Sequence, residues 1–405
     1  CGVKNLLVAQ SGGPTAAINA TLAGVVECAL SSGQTDKIYG AVNGIEGVLS
    51  RRFIDLRQKL DSTEKLSLLC QTPAAALGSC RLKIQKREQL KAIAEILKEW
   101  EISCFVYIGG NDSMDTVDQL SAYLAEQGIT DIAVVGAPKT VDNDLMGTDH
   151  CPGFGSAAKY IAATFSELER DCRVYTAKSV TIVEIMGRNA GWLTASSALA
   201  RVNGSGGPDL IYLCERPFDT ERFLSDLREK LERQNRVLAA VSEGIRDAEG
   251  RYISEQVQSG ALDNFGHAYI AGAGKVLEQL VRERIGCKVR FIELSLMQRC
   301  AAHIANATDI TESRMIGIKA CQCALEGQSG QMAAVIRESS DPYRVSFQSV
   351  PVREAANAEK KVPDEWITPD GCGVTDEMLE YLKPLIQGEP KVEYRNGIPA
   401  HISLY

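Results

Sequence analysis

No stretch of the 405-residue sequence approaches the roughly 20 consecutive apolar residues needed to cross a bilayer. Its first residues also lack a signal-peptide pattern, so a cytoplasmic protein without membrane contact is expected. An excess of positive charge is missing too. Fifty-two acids against 44 Lys and Arg give −8, which argues against the basic face that non-specific nucleic-acid binding needs. Histidine is scarce, and His150, His267, His303 and His401 do not cluster. A His-based metal site or a Ser-His-Asp triad therefore has little support. The 13 cysteines include no CxxC pair, and Cys321 and Cys323 lie in a helical pattern. Buried, reduced thiols are expected. GxxxxGK(S/T) is absent, which excludes a Walker P-loop. The first strand runs into Ser11-Gly12-Gly13-Pro14-Thr15 rather than GxGxxG, which speaks against a dinucleotide-binding oxidoreductase.

What is present is ordinary in bulk, with 45% hydrophobic and 24% charged residues. The length predicts two to three lobes. Apolar β runs at 3–9, 104–108, 132–137, 179–185, 210–214 and 237–241 alternate with helical sequence. That alternation predicts two α/β units, Rossmann-like and three-layered, with mostly parallel sheets. Ser156 is a candidate N-cap for a helix running to about Asp171. Gly272-Ala-Gly-Lys275 resembles a phosphate loop only superficially, and helix packing is the better reading.

Chemistry-bearing residues gather after the strands, where open α/β sheets bind ligands. One run ends in Gly109-Gly110-Asn111-Asp112-Ser113 and the next in Pro138-Lys139-Thr140-Val141-Asp142-Asn143-Asp144. In an extended segment Asp142 and Asp144 would point to the same side. One would accept a hydroxyl proton, the other would hold hydrated Mg²⁺, and Lys139 would neutralise a moving phosphoryl group. A turn-capping acid pair and a surface lysine are the plainer alternatives. Arg188, beside a glycine after a strand, fits a ligand-directed arginine or an internal ion pair equally. Glu243 fits a sugar-binding acid or a helix cap, and Arg290 with Arg299 fits a phosphate fork or two surface residues.

Taken together, Ser11-Gly12-Gly13, Gly78-Ser79-Cys80-Arg81, the two strand-end motifs, Met186-Gly187-Arg188, Glu243 and Gln298-Arg299 resemble the phosphofructokinase family over most of residues 3–300. The resemblance implies Mg²⁺-dependent transfer to the 1-hydroxyl of fructose 6-phosphate, with the active site between two α/β units. It implies Asp142 as general base with Thr140 beside it, and Arg188 stabilising the transition state. Met186, Gly187, Glu243, Arg290, Leu296, Gln298 and Arg299 would bind the sugar phosphate. Gly12, Gly13, Arg81, Gly110, Asp112, Ser113 and Lys139 would bind the donor, and Asp144 and Asn111 the metal. A homodimer or homotetramer is implied as well.

ATP-using members carry glycine at the places of Asp112 and Lys139. Acid and lysine together resemble the pyrophosphate-dependent branch, and the physical argument agrees. A carboxylate where a nucleotide's α-phosphate would lie repels it, while pyrophosphate escapes that clash. An ATP-dependent kinase and a non-catalytic sugar-phosphate sensor are the alternatives. Asn111 stands where an aspartate is usual, Leu296 where His or Tyr is, Ser179 where an arginine is, and Cys300-Ala301 where two glycines are. The expected domains are 1–150 with about 296–355 for the donor, 151–295 for the sugar phosphate, and a C-terminal extension over 356–405.

Overall fold

The structure is a computed structural model and describes residues 3–256 and 272–405. In chain order its principal strands are β1 (Lys4–Gln10), β2 (Thr35–Ala41), β3 (Phe53–Asp55), β4 (Ile102–Gly109), β5 (Ala133–Pro138), β6 (Ser179–Ile185), β7 (Leu210–Tyr212), β8 (Arg236–Ser242), β9 (Lys288–Glu293), β10 (Gln331–Ser340) and β11 (Tyr343–Pro351). Two compact units result. One takes in the chain up to Ala157 together with 299–360 and 384–405; the other takes in 158–298 and 361–383, as far as these are described. The stretch expected as a single C-terminal extension is thus divided, with 361–383 in the second unit.

The first unit holds a seven-stranded sheet in the order β11-β10-β5-β4-β1-β2-β3. Its interior pairings, β2 with β1, β1 with β4, β4 with β5 and β5 with β10, are parallel, and only the edge strands β3 and β11 run antiparallel. A parallel sheet covered on both faces needs apolar residues at every position, and β1 and β4 supply them. Leu6, Val8, Cys104 and Val106 face one core layer, while Leu7, Ala9, Phe105 and Tyr107 face the other. On the first face, helix Ile18–Ser31 packs on helix Ala307–Leu325. Their backbones meet directly: a Cβ on Gly24 would lie 2.0 Å from the Arg314 carbonyl oxygen, and one on Gly317 would lie 2.0 Å from that of Thr21.

The second unit holds a four-stranded, wholly parallel sheet in the order β7-β8-β6-β9. Val180, Ile182, Val237 and Ala239 pack there with Phe223, Leu227 and Leu277.

Two local expectations change. Ser156 lies inside helix Phe154–Cys172 rather than capping it. The start of that helix is served from afar by Asp309, whose carboxylate accepts the Gly153 and Ser156 N–H groups at 2.9 and 3.1 Å. The Gly272-Lys275 segment begins helix Ala273–Arg284, and its free Gly274 N–H is taken by Glu184 at 2.7 Å, which leaves a packed helix start. The twelve described cysteines are free thiols. No described helix is long and apolar enough to cross a membrane.

Candidate active site

In the first unit the turn after β1 becomes an open stretch of backbone ringed by cations. Gly12 takes φ +75°, a conformation side chains resist. A Cβ there would sit 3.1 Å from the Lys139 Nζ, and one on Gly13 would sit 3.2 Å from Arg299 and 3.7 Å from Arg81. Lys139 donates to the Gly13 carbonyl at 2.6 Å. The turn is pinned from behind: Gly12 N–H donates to Cys80 O at 3.0 Å, and the Ser79 hydroxyl donates to Gly12 O at 2.6 Å.

Lys139 is buried, and its ammonium is pushed down to about 8. Burial is the main cause and Arg81 and Arg299 add to it, while Asp142 and Asp144 oppose. An anion arriving there would relieve that strain. Arg299, expected with Arg290 on the sugar phosphate, stands beside Gly13 and Lys139 in the first unit, while Arg290 lies within β9 opposite Thr181 in the second.

The carboxylate loop follows β5. The Thr140 hydroxyl accepts the Asp142 N–H at 3.1 Å. Asn143 adopts φ 56° with its side chain on the Cys151 N–H, so the segment turns and the extended alternation argument does not describe it. Asp142 and Asp144 are nonetheless both close enough to act on Lys139. Burial raises the Asp144 pKa; a backbone N–H and Lys139 oppose this, and Glu359 and Asp112 add to it. A strap over 355–360 holds the loop. Leu145 bridges Glu359, Lys360 N–H donates to Asp144 O at 2.7 Å, and the Lys360 ammonium reaches the Thr148 and Asp149 carbonyls.

That strap explains Asn111, which was expected at the metal. Its amide donates to Ala355 O and Ala358 O at 3.3 and 2.6 Å and accepts the Asn357 N–H at 3.2 Å, so it braces the strap. Ser113, expected on the donor, is buried and bonds its hydroxyl to that of Ser11. Gly110 is half-buried and keeps a turn role, its carbonyl opening helix Asn111–Glu126. Asp112 is solvent-exposed and pairs with Lys83 at 3.0 Å. Lys83 was overlooked in the sequence, although in an extended chain it shares a side with Arg81.

Among the described residues no group of three or more His, Cys, Asp or Glu is arranged to hold a metal ion. Mg²⁺ is commonly held by one or two carboxylates plus substrate phosphates rather than by a protein cage. A half-buried Asp144 whose charge is strained by neighbouring acids fits that mode, while the Asn111 amide is engaged by the strap.

In the second unit the ends of β6 and β8 are knitted together. Gly187, at φ 125°, donates its N–H to Glu243 at 2.9 Å, and the Ser242 hydroxyl donates to Gly187 O at 2.9 Å. Met186 N–H donates to the buried Gln298 side chain at 3.2 Å, so Gln298 positions Met186 from behind. Arg188 is exposed and stacks on Tyr252. Leu296 is 56% exposed, just past Ser295 at φ 48°. Glu184, not singled out in the sequence, is pushed up to about 7 by burial, with the Gly274 N–H opposing and Glu293 and Glu243 adding.

The family model for phosphofructokinase matches residues 5–324. The chain is 40% identical to the pyrophosphate–fructose 6-phosphate 1-phosphotransferase of Methylococcus capsulatus, across 99% of this chain and 96% of that one. It is 34% identical to the sulfofructose kinase of Alkalicoccus urumqiensis, across 89% and 91%. The solved structure of the pyrophosphate-dependent phosphofructokinase from Nitrosospira multiformis matches with a TM-score of 0.89 at 37% identity, covering 99% of this chain and 96% of that one. On sequence, length and fold together, this chain belongs to the phosphofructokinase family.

Proposed function

We propose that the chain is a reversible phosphotransferase that moves a phosphoryl group between pyrophosphate and the 1-hydroxyl of fructose 6-phosphate, giving fructose 1,6-bisphosphate and phosphate. The observation that carries this reading is the buried Lys139 ammonium beside Arg81 and Arg299 at the Gly12–Gly13 backbone. Three cations around a half-buried glycine turn suit a small, dense polyanion. Asp112, exposed and paired with Lys83, adds a screened repulsion toward a longer nucleotide tail. Relatives at 38 to 40% identity that are named for pyrophosphate support the same donor.

In this reading the first unit takes the donor and the second the sugar phosphate. Gly12, Gly13, Gly110, Arg81 and Lys139 align pyrophosphate. Met186, Gly187, Glu243 and Arg290 orient the sugar, with Leu296 beside its phosphate. The sugar's 1-oxygen attacks the near phosphorus while Asp142 accepts the hydroxyl proton. The bridging P–O bond then breaks, and its electron pair leaves with the departing phosphate. Thr140 fixes Asp142 through its N–H. Lys139 and Arg188 stabilise charge that is greatest in the transition state. Mg²⁺, bound at Asp144 and donor oxygens, would supply further charge neutralisation. A homodimer or homotetramer belongs to the same reading.

The test is a donor panel with Mg²⁺ and fructose 6-phosphate, comparing pyrophosphate with ATP. Preference for ATP overturns the donor, and binding of fructose 6-phosphate with no bisphosphate formed favours a sensor. Sulfofructose and sedoheptulose 7-phosphate as acceptors decide the sugar.

A further inference from the structure

The arginine at the end of β6 does not stand alone. Residues 246–252 form a small hairpin: Arg246 and Tyr252 are bridged, Asp247 N–H donates to Arg251 O at 2.9 Å, and Ile253 N–H donates to Ile245 O at 3.1 Å. The hairpin abuts the 187–189 turn at Gly244, where a Cβ would lie 1.8 Å from the Arg188 carbonyl oxygen. Two guanidinium groups consequently meet one phenol. Arg188 lies 4.5 Å and Arg246 4.4 Å from the Tyr252 ring centroid. Arg188 Nε donates to the Tyr252 hydroxyl at 3.1 Å and Arg246 Nη2 donates to it at 2.6 Å. Arg246 Nη2 also reaches Asn189 Oδ1 at 2.8 Å.

The charge balance of this group is unusual. Asp247 and Glu249, the hairpin's own acids, are paired with Arg251 at 2.9 and 3.6 Å. Among the described residues neither Arg188 nor Arg246 has a carboxylate within ion-pair distance, and the buried Arg246 Nε has no hydrogen-bond partner. Glu243 and Glu255 act on Arg188 from beyond ion-pair distance, and two like charges sharing one ring still repel each other, with stacking offsetting only part of that. The tyrosine oxygen already accepts two N–H groups, so its own proton is left to donate to a further acceptor. Two forks and a hydroxyl proton that hold no carboxylate in direct contact among the described residues make a site for an anion.

We propose that Arg246 and Tyr252 belong to the anion-binding machinery of the second unit. Tyr252 is a positioning residue that holds the exposed Arg188 in place. Arg246 supplies a second guanidinium to the same phosphoryl oxygens, those of the group transferred to the sugar's 1-oxygen. This deepens the reading above and rests on it for the role of Arg188. The sequence separation of 64 residues between Arg188 and Tyr252 kept the pair out of any local motif.

Fructose 1,6-bisphosphate carries the transferred group and fructose 6-phosphate does not, so the two ligands separate the possibilities. Equilibrium binding of each to the full chain is measured for wild type, Arg246→Ala and Tyr252→Phe, with thermal melting as the fold control. The expected result is that Arg246→Ala weakens bisphosphate binding about tenfold or more, as loss of a charge-assisted hydrogen bond does. Fructose 6-phosphate binding should stay within about twofold of wild type, since that contact is not made to it. In turnover, Tyr252→Phe, which keeps the ring, lowers kcat with little change in KM for either substrate, and added guanidinium partly restores Arg246→Ala. Unchanged binding and kcat in both variants would reduce the cluster to a hairpin brace, and parallel loss of both ligands would likewise overturn the assignment. If Arg246→Ala melts early, Arg246→Lys takes its place, with the same selective loss expected. Absence of pyrophosphate turnover in wild type refutes the proposed function instead, and the two-ligand comparison still decides this inference.

Discussion

The Lys139 ammonium donates a hydrogen bond to the Gly13 carbonyl at 2.6 Å, so the base of the second motif closes on the turn of the first. That carbonyl and the nearby Asp142 and Asp144 compensate the buried charge only in part, since burial with Arg81 and Arg299 outweighs them. Function and stability are therefore opposed at this residue.

Replacing Lys139 with Met should show that opposition. Its folded pKa, about 8, lies below the ordinary 10.5, so between those values the unfolded chain binds more protons and wild-type stability rises with pH. The burden is full below pH 8. Lys139→Met should gain on the order of 3 kcal/mol at pH 7 and lose that pH dependence. Its kcat/KM for pyrophosphate should fall about 100-fold or more. Urea unfolding at pH 7 and 10 with parallel kinetics checks both, and a less stable variant with normal turnover contradicts them.

Asp112 pairs with Lys83 in the open, both side chains being about 60% exposed. Such pairs hold little stability. Asp112→Gly should cost no more than about 1 kcal/mol, from glycine in the first turn of helix Asn111–Glu126 rather than from the lost pair, and together with Lys139→Gly it should impair pyrophosphate use while admitting ATP. A double variant still confined to pyrophosphate would remove the electrostatic account of donor choice.

How much of this was legible in the sequence follows from the range of each interaction. The buried strands were readable because a parallel sheet covered on both faces turns them into continuous apolar runs, as in Ile102–Gly109. The glycine turn and the acid loop were readable because they follow such runs directly. The bracing bonds of Asn111 were not legible because its partners, the Ala355 and Ala358 carbonyls, lie 244 and 247 residues further on. The bond of Ser113 was not legible because its partner, Ser11, follows a different strand. The cap on helix Phe154–Cys172 comes from Asp309, which no local capping pattern could announce. Composition and periodicity report what a residue's neighbours in sequence need, and these side chains serve neighbours in space.

Asn111→Asp tests the bracing role against the metal role. The substitution restores the acid usual in the family but removes the two N–H donors and sets a carboxylate against the Ala358 carbonyl. Stability should fall by about 2 kcal/mol, the cost of unsatisfied buried acceptors, with no gain in Mg²⁺ affinity. Chemical denaturation beside a Mg²⁺ titration of activity measures both, and tighter Mg²⁺ binding at undiminished stability would return Asn111 to the metal.

His150 makes the strongest pH prediction. It is buried between two acids, Nδ1 at 2.7 Å from Asp149 and Nε2 at 2.8 Å from Glu312. Arg337 also bonds Asp149, and Tyr343 donates to Glu312 at 2.6 Å. Burial alone would lower the histidine's pKa, but the two carboxylates override it and raise it to about 9. With both ring nitrogens facing carboxylates, the imidazolium is the form the fold selects. A raised pKa means that the folded state holds the proton longer than the unfolded one. The contribution is full below the ordinary value near 6.5 and disappears as pH rises through 9. Wild-type unfolding free energy should therefore fall between pH 6.5 and 9, and His150→Gln should be less stable at pH 6 but flat across that window. Lys139 acts in the opposite sense above pH 8, so the measurement is cleanest in the Lys139→Met background. A His150→Gln variant that keeps the wild-type slope would show that the proton sits elsewhere in the network.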